Sequence, residues 1–414
     1  MHKPVTIIGA GFSGLSAAYC LNQAGYAVEL YEQAPAPGGL IGTRATPWGL
    51  AETAASGALN TARFEALALD LGVHLLWPGP QARKRYVFRG RPRRFPLNAA
   101  ELPGLARLAA RFVFARDTVR PHARESVRAW ATRVAGAGVS RYLIEAALQG
   151  IYSGNPERLS ASLILGRFFE PGPREGKPTR RGIVAPEHGM GELIDALRRT
   201  LESRGVVFRM GTAFSFDKAP PAHPHVVATG AAGARAILRD VAPELVSALE
   251  AFDLSTMLTA TVFFRHKCLT GYGCLFPPAE RRRALGVLVN TDIYPNRSRD
   301  HISETWILGG APGASAIDAA ELMTYSDEKL LALILEERRS AFGRNDEPAG
   351  FSVTRWREAI PHYTVDLEAV LPRLEQGAPN LFLHGNYMGH IGLAKILDRA
   401  SALPDLVAAR GRWE

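Results

Sequence analysis

The stretch GAGFSG at residues 9–14 constrains the fold of this chain more than any other feature. A short β-branched strand is predicted before it, over Val5–Ile8, and a helix after it, over Leu15–Ala24. Gly25 ends that helix and Ala27–Tyr31 supply a second strand. A secretory signal would need an unbroken apolar centre, which the glycines interrupt. The pattern therefore predicts a strand, a tight turn and a helix that bind a dinucleotide.

Each glycine of this stretch has a physical role in such a site. Gly9 permits the tight turn, Gly11 lets the backbone approach a pyrophosphate, and Gly14 allows the helix to pack closely on the strand. Phe12 and Ser13 complete the loop, and the free N–H groups of the helix face the phosphates. Glu32 stands at the end of the second strand, where a carboxylate accepts the ribose hydroxyls and repels a 2′-phosphate, which disfavours NADP.

A second glycine pair follows the predicted ribose carboxylate. In EQAPAPGGLIGT, Gly38 and Gly39 come shortly after Glu32. This arrangement resembles the second glycine motif of the FAD-dependent amine oxidase superfamily, which passes along the FAD pyrophosphate. A simple NAD dehydrogenase has no need of it, so the resemblance favours FAD.

Composition limits the location and the partners of the chain. Its 414 residues carry a net charge of +9, which suits an anionic ligand, a membrane surface or nucleic acid. Nucleic acid is disfavoured because no recognition module accompanies the basic residues. The three cysteines show no metal or disulfide spacing, which favours a reducing, cytoplasmic location. No apolar stretch is long enough to cross a bilayer.

The order of predicted elements favours an α/β fold with discontinuous domains. The prediction is a Rossmann-like FAD-binding domain, a discontinuous α+β substrate-binding domain and a helical segment. The FAD-binding segments are predicted at 1–78, 186–232 and 349–414. The substrate segments are predicted at 79–185 and 233–348, and residues 83–94 form a hairpin with seven basic side chains. A helix is predicted near Ser326–Phe342, and the last segment is predicted to end with the strand NLFLHG and a helix from Gly392.

Several stretches, in order along the chain, resemble protoporphyrinogen oxidase, the oxygen-dependent flavoenzyme of haem synthesis. They are RYVFRGRPRRFPL, the helical ESVRAWATRVAGAGVSRYLIEAALQGIYSGNPERLSASL, GYGCLFP, ALGVLVNTDIYPNRS, WILGGA, TRWREAIPHYTVDLEAV and NLFLHGNYMGHIGLAKILDRA. The resemblance spans residues 5 to about 400 and is far more specific than the glycine fingerprint alone.

The resemblance implies non-covalent FAD, a porphyrinogen substrate that is an anionic tetrapyrrole, and dioxygen as acceptor. The flavin carries the chemistry, so no catalytic side chain and no metal is expected. The cofactor residues that it implies are Gly9, Gly11, Phe12, Ser13, Gly14, Glu32, Gly39, Leu40, Thr43, Phe214 in the strand MGTAF, Trp356, Gly385, Asn386, Ile391, Gly392 and Leu393. Trp356 is equally well explained as a core aromatic residue.

Arg85 matches the family arginine expected near a substrate propionate, and a guanidinium pairs well with a carboxylate. The alternative is an exposed hairpin charge.

Three positions depart from the family pattern: Gly42 replaces an Arg or Lys, LAETAASG keeps Glu52 but lacks a Gly-Pro, and His362 replaces a Gln. The rival functions are another amine oxidase, a polyene desaturase, a flavoprotein that only binds, and a non-redox flavoenzyme resembling UDP-galactopyranose mutase.

The segment 102–113, LPGLARLAARFV, is predicted to be an amphipathic helix. Its apolar side chains share one face and Arg107 and Arg111 lie elsewhere. Such a helix can lie on an anionic membrane, and the resembled family is often membrane-associated through this region. It can equally pack on the core of its own protein. The sequence therefore leaves open a peripheral position on the inner face of the membrane.

Overall fold

The computed structural model describes residues 3–94, 98–169, 176–216 and 221–413. The end of the predicted hairpin stretch, Phe95–Leu97, lies outside them. The strands are β1 Pro4–Ile8, β2 Ala27–Glu32, β3 Thr43–Thr46, β4 Gly49–Glu52, β5 Ala58–Leu59, β6 Leu75–Leu76, β7 Arg85–Phe88, β8 Pro92–Arg94, β9 Ile183–Pro186, β10 Val207–Met210, β11 His225–Val227, β12 Leu254–Phe264, β13 Gly273–Leu275, β14 Ala284–Val289, β15 Ile302–Gly310, β16 Gly350–Pro361 and β17 Leu381–Leu383.

The helices lie between and around these strands. They are α1 Phe12–Gln23, α2 Ala62–Asp70, α3 Leu102–Phe114, α4 Val127–Ala135, α5 Ala137–Val139, α6 Glu145–Tyr152, α7 Ala161–Leu165, α8 Met190–Ser203, α9 Ala231–Leu238, α10 Pro243–Glu250, α11 Asn290–Ile293, α12 Ala319–Leu322, α13 Asp327–Phe342, α14 Leu371–Gln376, α15 Leu393–Ala400 and α16 Leu403–Arg410.

A five-stranded parallel sheet, in the order β10-β2-β1-β11-β17, forms the smaller layer. Helix α1 packs against α8 and α15, and Val5, Ile7 and Leu30 share a buried cluster with these helices. Ile8 and Val227 lie in a second cluster together with residues of α9 and α10. Because both faces are covered, the strands are short and strongly apolar. All their carboxyl ends meet at one edge.

A mixed seven-stranded sheet, in the order β16-β12-β15-β14-β13-β7-β8, forms the larger layer. The long strand β12 is paired on both sides, with β15 and β16. One face carries Leu258, Ala260 and Val262, which pack with Leu330 and Ile334 of α13. The residues that alternate with them on β12 lie on the other face, which meets the loops of the smaller sheet.

The predicted α/β fold class is confirmed, and most predicted elements are present. The helix predicted near Ser326–Phe342 is α13, whose N-cap Ser326 accepts a hydrogen bond from the Lys329 amide. The prediction that a strand contains Phe214 was wrong. Strand β10 ends at Met210, and the Phe214 ring packs edge-on against Tyr31. Its ring covers the sheet instead of lengthening a strand.

The division into domains stays a proposal, and one of its boundaries is moved. The boundary predicted at residue 349 would assign β16 to the FAD-binding part, yet β16 pairs with β12 in the larger sheet. We therefore propose that the last FAD-binding segment begins after Pro361. It contributes the edge strand β17 and the helix α15 to the smaller sheet.

Helix α3 presents a divided apolar face. Leu105 and Leu108 pack against a buried cluster of the protein. Phe112, Val113 and Phe114 remain exposed, the last two at 73% and 86%. Packing on the core therefore accounts for only part of the predicted amphipathic face. Of the helices in the described parts of the chain, none combines the length and apolar character needed to cross a membrane.

Buried histidines should make the fold sensitive to acid. Burial lowers the pKa of His384 to about 3, and it lowers the pKa values of His225 and His362 to about 4. An unfolded histidine titrates near 6.5, so stability is full above that pH and is lost as the pH falls from 6.5 towards 4. His384→Leu should reduce the loss of unfolding free energy between pH 6.5 and pH 4 by about 1–3 kcal/mol, as measured by urea unfolding at both pH values. His188→Leu, at an exposed position, should leave it unchanged; equal curves for the two variants would contradict this prediction.

Candidate functional site

The first glycine turn connects β1 to α1 at the carboxyl edge of the parallel sheet. Gly9 adopts φ +103°, and a Cβ added to Gly14 would lie 1.7 Å from the Gly9 carbonyl oxygen. Both positions therefore exclude a side chain. No side chain caps α1, whose N-cap is Gly11, and its first turn carries no acidic residue. With Phe12 and Ser13 in that turn, the exposed helix N-terminus suits an anionic phosphate.

Glu32 lies at the end of β2, beside this turn. Its two carboxylate oxygens accept hydrogen bonds from the backbone N–H groups of Ala10 and Ala34, both at 2.8 Å. These bonds fix the carboxylate next to the helix N-terminus. Each oxygen keeps a second lone pair, so the group can still accept the hydroxyls of a ribose.

The two glycine motifs pack directly on each other. Gly11 and Gly38 form an isolated parallel bridge, and the Gly38 N–H donates to the Ala10 carbonyl at 2.8 Å. A Cβ on Gly39, which has φ +58°, would lie 3.2 Å from the Gly11 Cα. Only residues without side chains allow this approach. The loop that carries Leu40 is thereby held against the start of α1.

Thr43 and Glu52 form a buried contact behind that loop. The Thr43 hydroxyl donates to Glu52 at 2.6 Å and accepts from the Gly191 N–H at 2.9 Å. Glu52 also accepts from the Met190 N–H at 3.1 Å and lies 3.8 Å from the Arg297 guanidinium. Burial raises the pKa of Glu52. These contacts hold the first turn of α8, so the Thr43 hydroxyl is already engaged within the protein.

Thr53 joins the glycine loop to the larger sheet. Its hydroxyl donates to the Leu40 carbonyl at 2.8 Å, and its own carbonyl accepts from the Trp356 indole N–H at 2.8 Å. A further donor to that carbonyl is the Thr259 hydroxyl at 3.2 Å. Trp356 thus lies beside the loop, and its proximity to the flavin stays a prediction. A Cβ on Gly42 would lie 3.4 Å from the Thr53 hydroxyl, so only a small shift would admit a side chain there.

Apolar side chains of the glycine loop and of the larger sheet pack against one another. We call this contact cluster of buried and partly buried side chains the apolar slot; its members are Leu40, Met257, Leu285, Ile307, Ala314, Trp356, Ala359 and Ile360. Met257 and Trp356 are directly opposite each other on β12 and β16, so they share a face of the sheet. The cluster gives this face of the sheet an apolar surface beside the loop.

The turn between β17 and α15 completes the carboxyl edge. Gly385 and Asn386 follow β17, and Gly392 is the N-cap of α15, which no side chain caps. The Asn386 amide donates to the Ala359 carbonyl at 3.0 Å, which ties the turn to the end of β16 beside the slot. Ile391 packs on a neighbouring buried cluster, and Leu393 is buried in the first turn of α15.

Tyr363 fixes the same turn from the other side. Its buried hydroxyl donates to the Asn386 carbonyl and accepts from the Gly389 N–H at 3.0 Å. The neighbouring His362, one of the departures from the family pattern, accepts from the Asn155 N–H at 3.2 Å through Nε2. Neither Thr53 nor Tyr363 is among the residues predicted from the sequence. Their hydrogen bonds join separate elements, as between Thr53 and Trp356 or Tyr363 and Asn386, and no local sequence pattern predicts such contacts.

Two predicted residues lie away from this edge. The Phe214 ring lies against Tyr31 and His225 on one face of the parallel sheet. Arg85 lies on β7, where its exposed guanidinium stacks over the Tyr272 ring at 4.6 Å. The remaining predicted cofactor residues line the carboxyl edge or, in the case of Trp356, face it from the larger sheet.

The side chains present fit a bound dinucleotide. No group of three or more His, Cys, Asp or Glu side chains in the described ranges could hold a metal ion. The three cysteines are buried, and burial raises the pKa of the Cys20 thiol to about 11. The glycine cradle, the Glu32 carboxylate and the uncapped starts of α1 and α15 are the features that a dinucleotide requires.

Comparisons with known proteins agree with this geometry. The sequence model of the family described as "Flavin containing amine oxidoreductase" matches residues 12–215 and 225–394. Protoporphyrinogen oxidase 2, chloroplastic/mitochondrial, of Arabidopsis thaliana is 24% identical, covering 98% of this chain and 94% of that protein.

Solved structures share the fold along nearly the whole chain. A putative protoporphyrinogen oxidase from Exiguobacterium sp. 255-15 superposes with a TM-score of 0.78 at 19% identity, covering 99% of both chains. Reduced UDP-galactopyranose mutase gives a TM-score of 0.73 at 15% identity, covering 99% of this chain and 94% of the other. The family match extends over most of the sequence. The chain therefore belongs to the flavin containing amine oxidoreductase family, and FAD is its cofactor.

Proposed function

We propose that this protein oxidises a porphyrinogen, either protoporphyrinogen IX or coproporphyrinogen III, to the porphyrin in haem biosynthesis, with dioxygen as the electron acceptor. The observation that carries the proposal is the apolar slot, which lies between the glycine loop and one face of the larger sheet. A porphyrinogen is a broad apolar macrocycle with carboxylate arms, so it suits such a slot. Further support comes from relatives named protoporphyrinogen oxidase that align along nearly the whole chain.

The proposed chemistry needs positioning more than acid or base groups. Bound FAD supplies the hydride acceptor. We propose that the substrate packs on the apolar surface to which Leu40 and Trp356 contribute, and that these side chains exclude bulk water from the reacting carbon. The N-terminus of α15 directs its uncapped N–H groups at the carboxyl edge, where they favour negative charge.

Arg85 is proposed to bind a carboxylate arm of the substrate. On β7, Tyr86 and Phe88 pack into the cluster formed with α13. Side chains alternate along a strand, so Arg85 and Val87 share the opposite face, which is the face of the slot. Strand β7 is two strands away from β14, which carries Leu285 of the slot. Neighbouring strands are about 4.8 Å apart, so a propionate at the rim of a macrocycle is within reach of the guanidinium.

A second candidate is a flavoenzyme without net redox change. The observation in its favour is the fold likeness to reduced UDP-galactopyranose mutase. Another amine oxidase or a polyene desaturase would share the same cofactor edge. The slot separates these candidates, because a sugar nucleotide needs polar contacts along its length, whereas the slot side chains are apolar.

We also propose that the exposed part of α3 contacts an anionic membrane from the cytoplasm. Phe112, Val113 and Phe114 form its apolar end, and Ile151 and Phe168 are further exposed apolar side chains of the same helical segment. Basic side chains such as Arg107 lie on the same helix, where they can meet lipid headgroups.

The activity itself is tested with anaerobically prepared coproporphyrinogen and protoporphyrinogen. We expect the yellow holoenzyme to be bleached by one of them and recoloured by air, while porphyrin fluorescence rises. The comparison for a mutase is isomerisation of UDP-galactose by the protein with reduced flavin, a reaction in which the flavin stays reduced. A protein that holds FAD and leaves every porphyrinogen unoxidised would disprove the proposal.

Arg85→Ala should raise the apparent KM for the porphyrinogen about tenfold and change flavin reduction at saturation much less, because the lost contact is with an arm remote from the reacting carbon. The control is Arg94→Ala on β8. Arg94 pairs with Tyr86 and therefore lies on the opposite face of the sheet. Similar KM values for the two variants would remove Arg85 from the site.

The membrane proposal is tested by sedimentation with phosphatidylserine-containing vesicles. Val113→Glu should release most of the bound protein, because it places a carboxylate in the apolar contact, and added salt should weaken binding further. Vesicles of phosphatidylcholine alone and the distant variant Val207→Glu are the controls. Binding that Val113→Glu leaves intact would contradict the proposed contact.

A further inference from the structure

Two buried polar side chains border the apolar slot and have an oxygen without a partner. Gln149 and Ser255 are only 1% and 3% exposed. The Gln149 Oε1 and the Ser255 Oγ find no hydrogen-bond partner among the residues that the structure describes. A buried acceptor left unpaired costs roughly 1–3 kcal/mol, so each atom calls for an explanation.

Ser255 belongs to the face of the sheet that forms the slot. It is directly opposite Ile360 in the ladder between β12 and β16, and Ile360 is a slot residue. Residues opposite each other in an antiparallel pair share a face. The ladder is irregular between Ser255 and Met257, where extra residues of β16 bulge out. The Ser255 hydroxyl therefore lies next to apolar slot side chains.

Gln149 reaches the slot from helix α6. Its amide Nε2 donates to the carbonyl of Ala314, which is itself a slot residue. Helix α6 also contacts β14, the strand of Leu285. The hydrogen bond to Ala314 fixes the amide at this wall, and the Oε1 at the other end of the amide is left as an acceptor.

The geometry points to a ligand that brings N–H donors into an otherwise apolar space. We propose that Gln149 Oε1 and Ser255 Oγ accept hydrogen bonds from pyrrole N–H groups of the substrate. The proposal deepens the porphyrinogen oxidase function and rests on it. In a porphyrinogen every pyrrole nitrogen carries a hydrogen and its lone pair is part of the aromatic ring, so the inner edge of the macrocycle only donates.

Gln149 distinguishes substrate from product. Oxidation to the porphyrin leaves hydrogen on only half of the inner nitrogens, and the others become imine acceptors. An imine nitrogen facing the Gln149 Oε1 would bring two acceptors together, which is unfavourable, whereas the Ser255 hydroxyl can also donate and so can bind either molecule. The Gln149 oxygen therefore favours the porphyrinogen over the porphyrin and assists product release.

The first test uses turnover. Ser255→Ala and Gln149→Leu should each raise the apparent KM for coproporphyrinogen about fivefold to tenfold, and Gln149→Leu should have a smaller effect on inhibition by the porphyrin. Ser255→Ala should not lower the melting temperature, because no partner is lost. The control is Ser303→Ala, at a buried serine that accepts from the Asn290 amide at 2.9 Å. It should lower the melting temperature and leave KM unchanged.

The second test measures binding without turnover. A meso-dimethyl dipyrromethane keeps its pyrrole N–H groups but has no hydrogen on the bridging carbon, so the flavin cannot oxidise it. Titration of the oxidised holoenzyme, followed by flavin absorbance, should show tighter binding than for the N-methylated analogue. Ser255→Ala and Gln149→Leu should reduce the difference in affinity between the two dipyrromethanes, and Ser303→Ala should leave it unchanged.

The outcomes separate this inference from the proposed function. The acceptor role would be overturned if the wild-type protein bound both dipyrromethanes equally, or if the variants kept the full difference in affinity between them. A water bridging the two oxygens would then explain their lack of a protein partner. A protein that shows the expected binding differences but oxidises no porphyrinogen would overturn the proposed function and leave the two acceptors assigned to an N–H donor.

Discussion

Contact between two glycine motifs organises the cofactor site. Gly11 and Gly38 bridge backbone to backbone, and Gly39 lies so close to Gly11 that a side chain would intrude. This contact sets the position of the loop that follows, including Leu40. The strand, turn and helix that begin the chain therefore fix the edge of the slot as well as the cofactor cradle. A substitution in either motif would disturb both places at once.

A single threonine transmits that position to the second sheet. The Thr53 hydroxyl donates a hydrogen bond to the Leu40 carbonyl. The Thr53 carbonyl accepts hydrogen bonds from the Trp356 indole N–H and the Thr259 hydroxyl. Apolar contacts alone would fix the orientation of the loop on the sheet weakly, because they are non-directional. The distance between cofactor edge and slot thus depends on the directed hydrogen bonds at Thr53, together with the bond from the Asn386 amide to the Ala359 carbonyl.

The sequence predicted what depends on local pattern. The first glycine turn, the Glu32 carboxylate, α13 with its Ser326 cap and the start of α15 all follow from spacing within about twenty residues. The predicted extent of β10 was wrong because Phe214, beyond Met210, is partly buried by the packing of its ring on Tyr31 and not by strand pairing. The slot, Thr53, Tyr363 and the unpaired oxygens arise from strands distant in the chain, and single-sequence periodicity carries no information about such pairings.

The strand order of the parallel sheet has a consequence for biosynthesis. Strand β1 lies between β2, its neighbour in sequence, and β11, which is made only after some two hundred further residues; β17 then adds the edge close to the end of the chain. Pairings between such distant segments form slowly, because long loops must close first. During synthesis, the edge of β1 that later pairs with β11 is therefore still unpaired. A cradle complete enough to retain its nucleotide can therefore form only after both β11 and β17 have been translated.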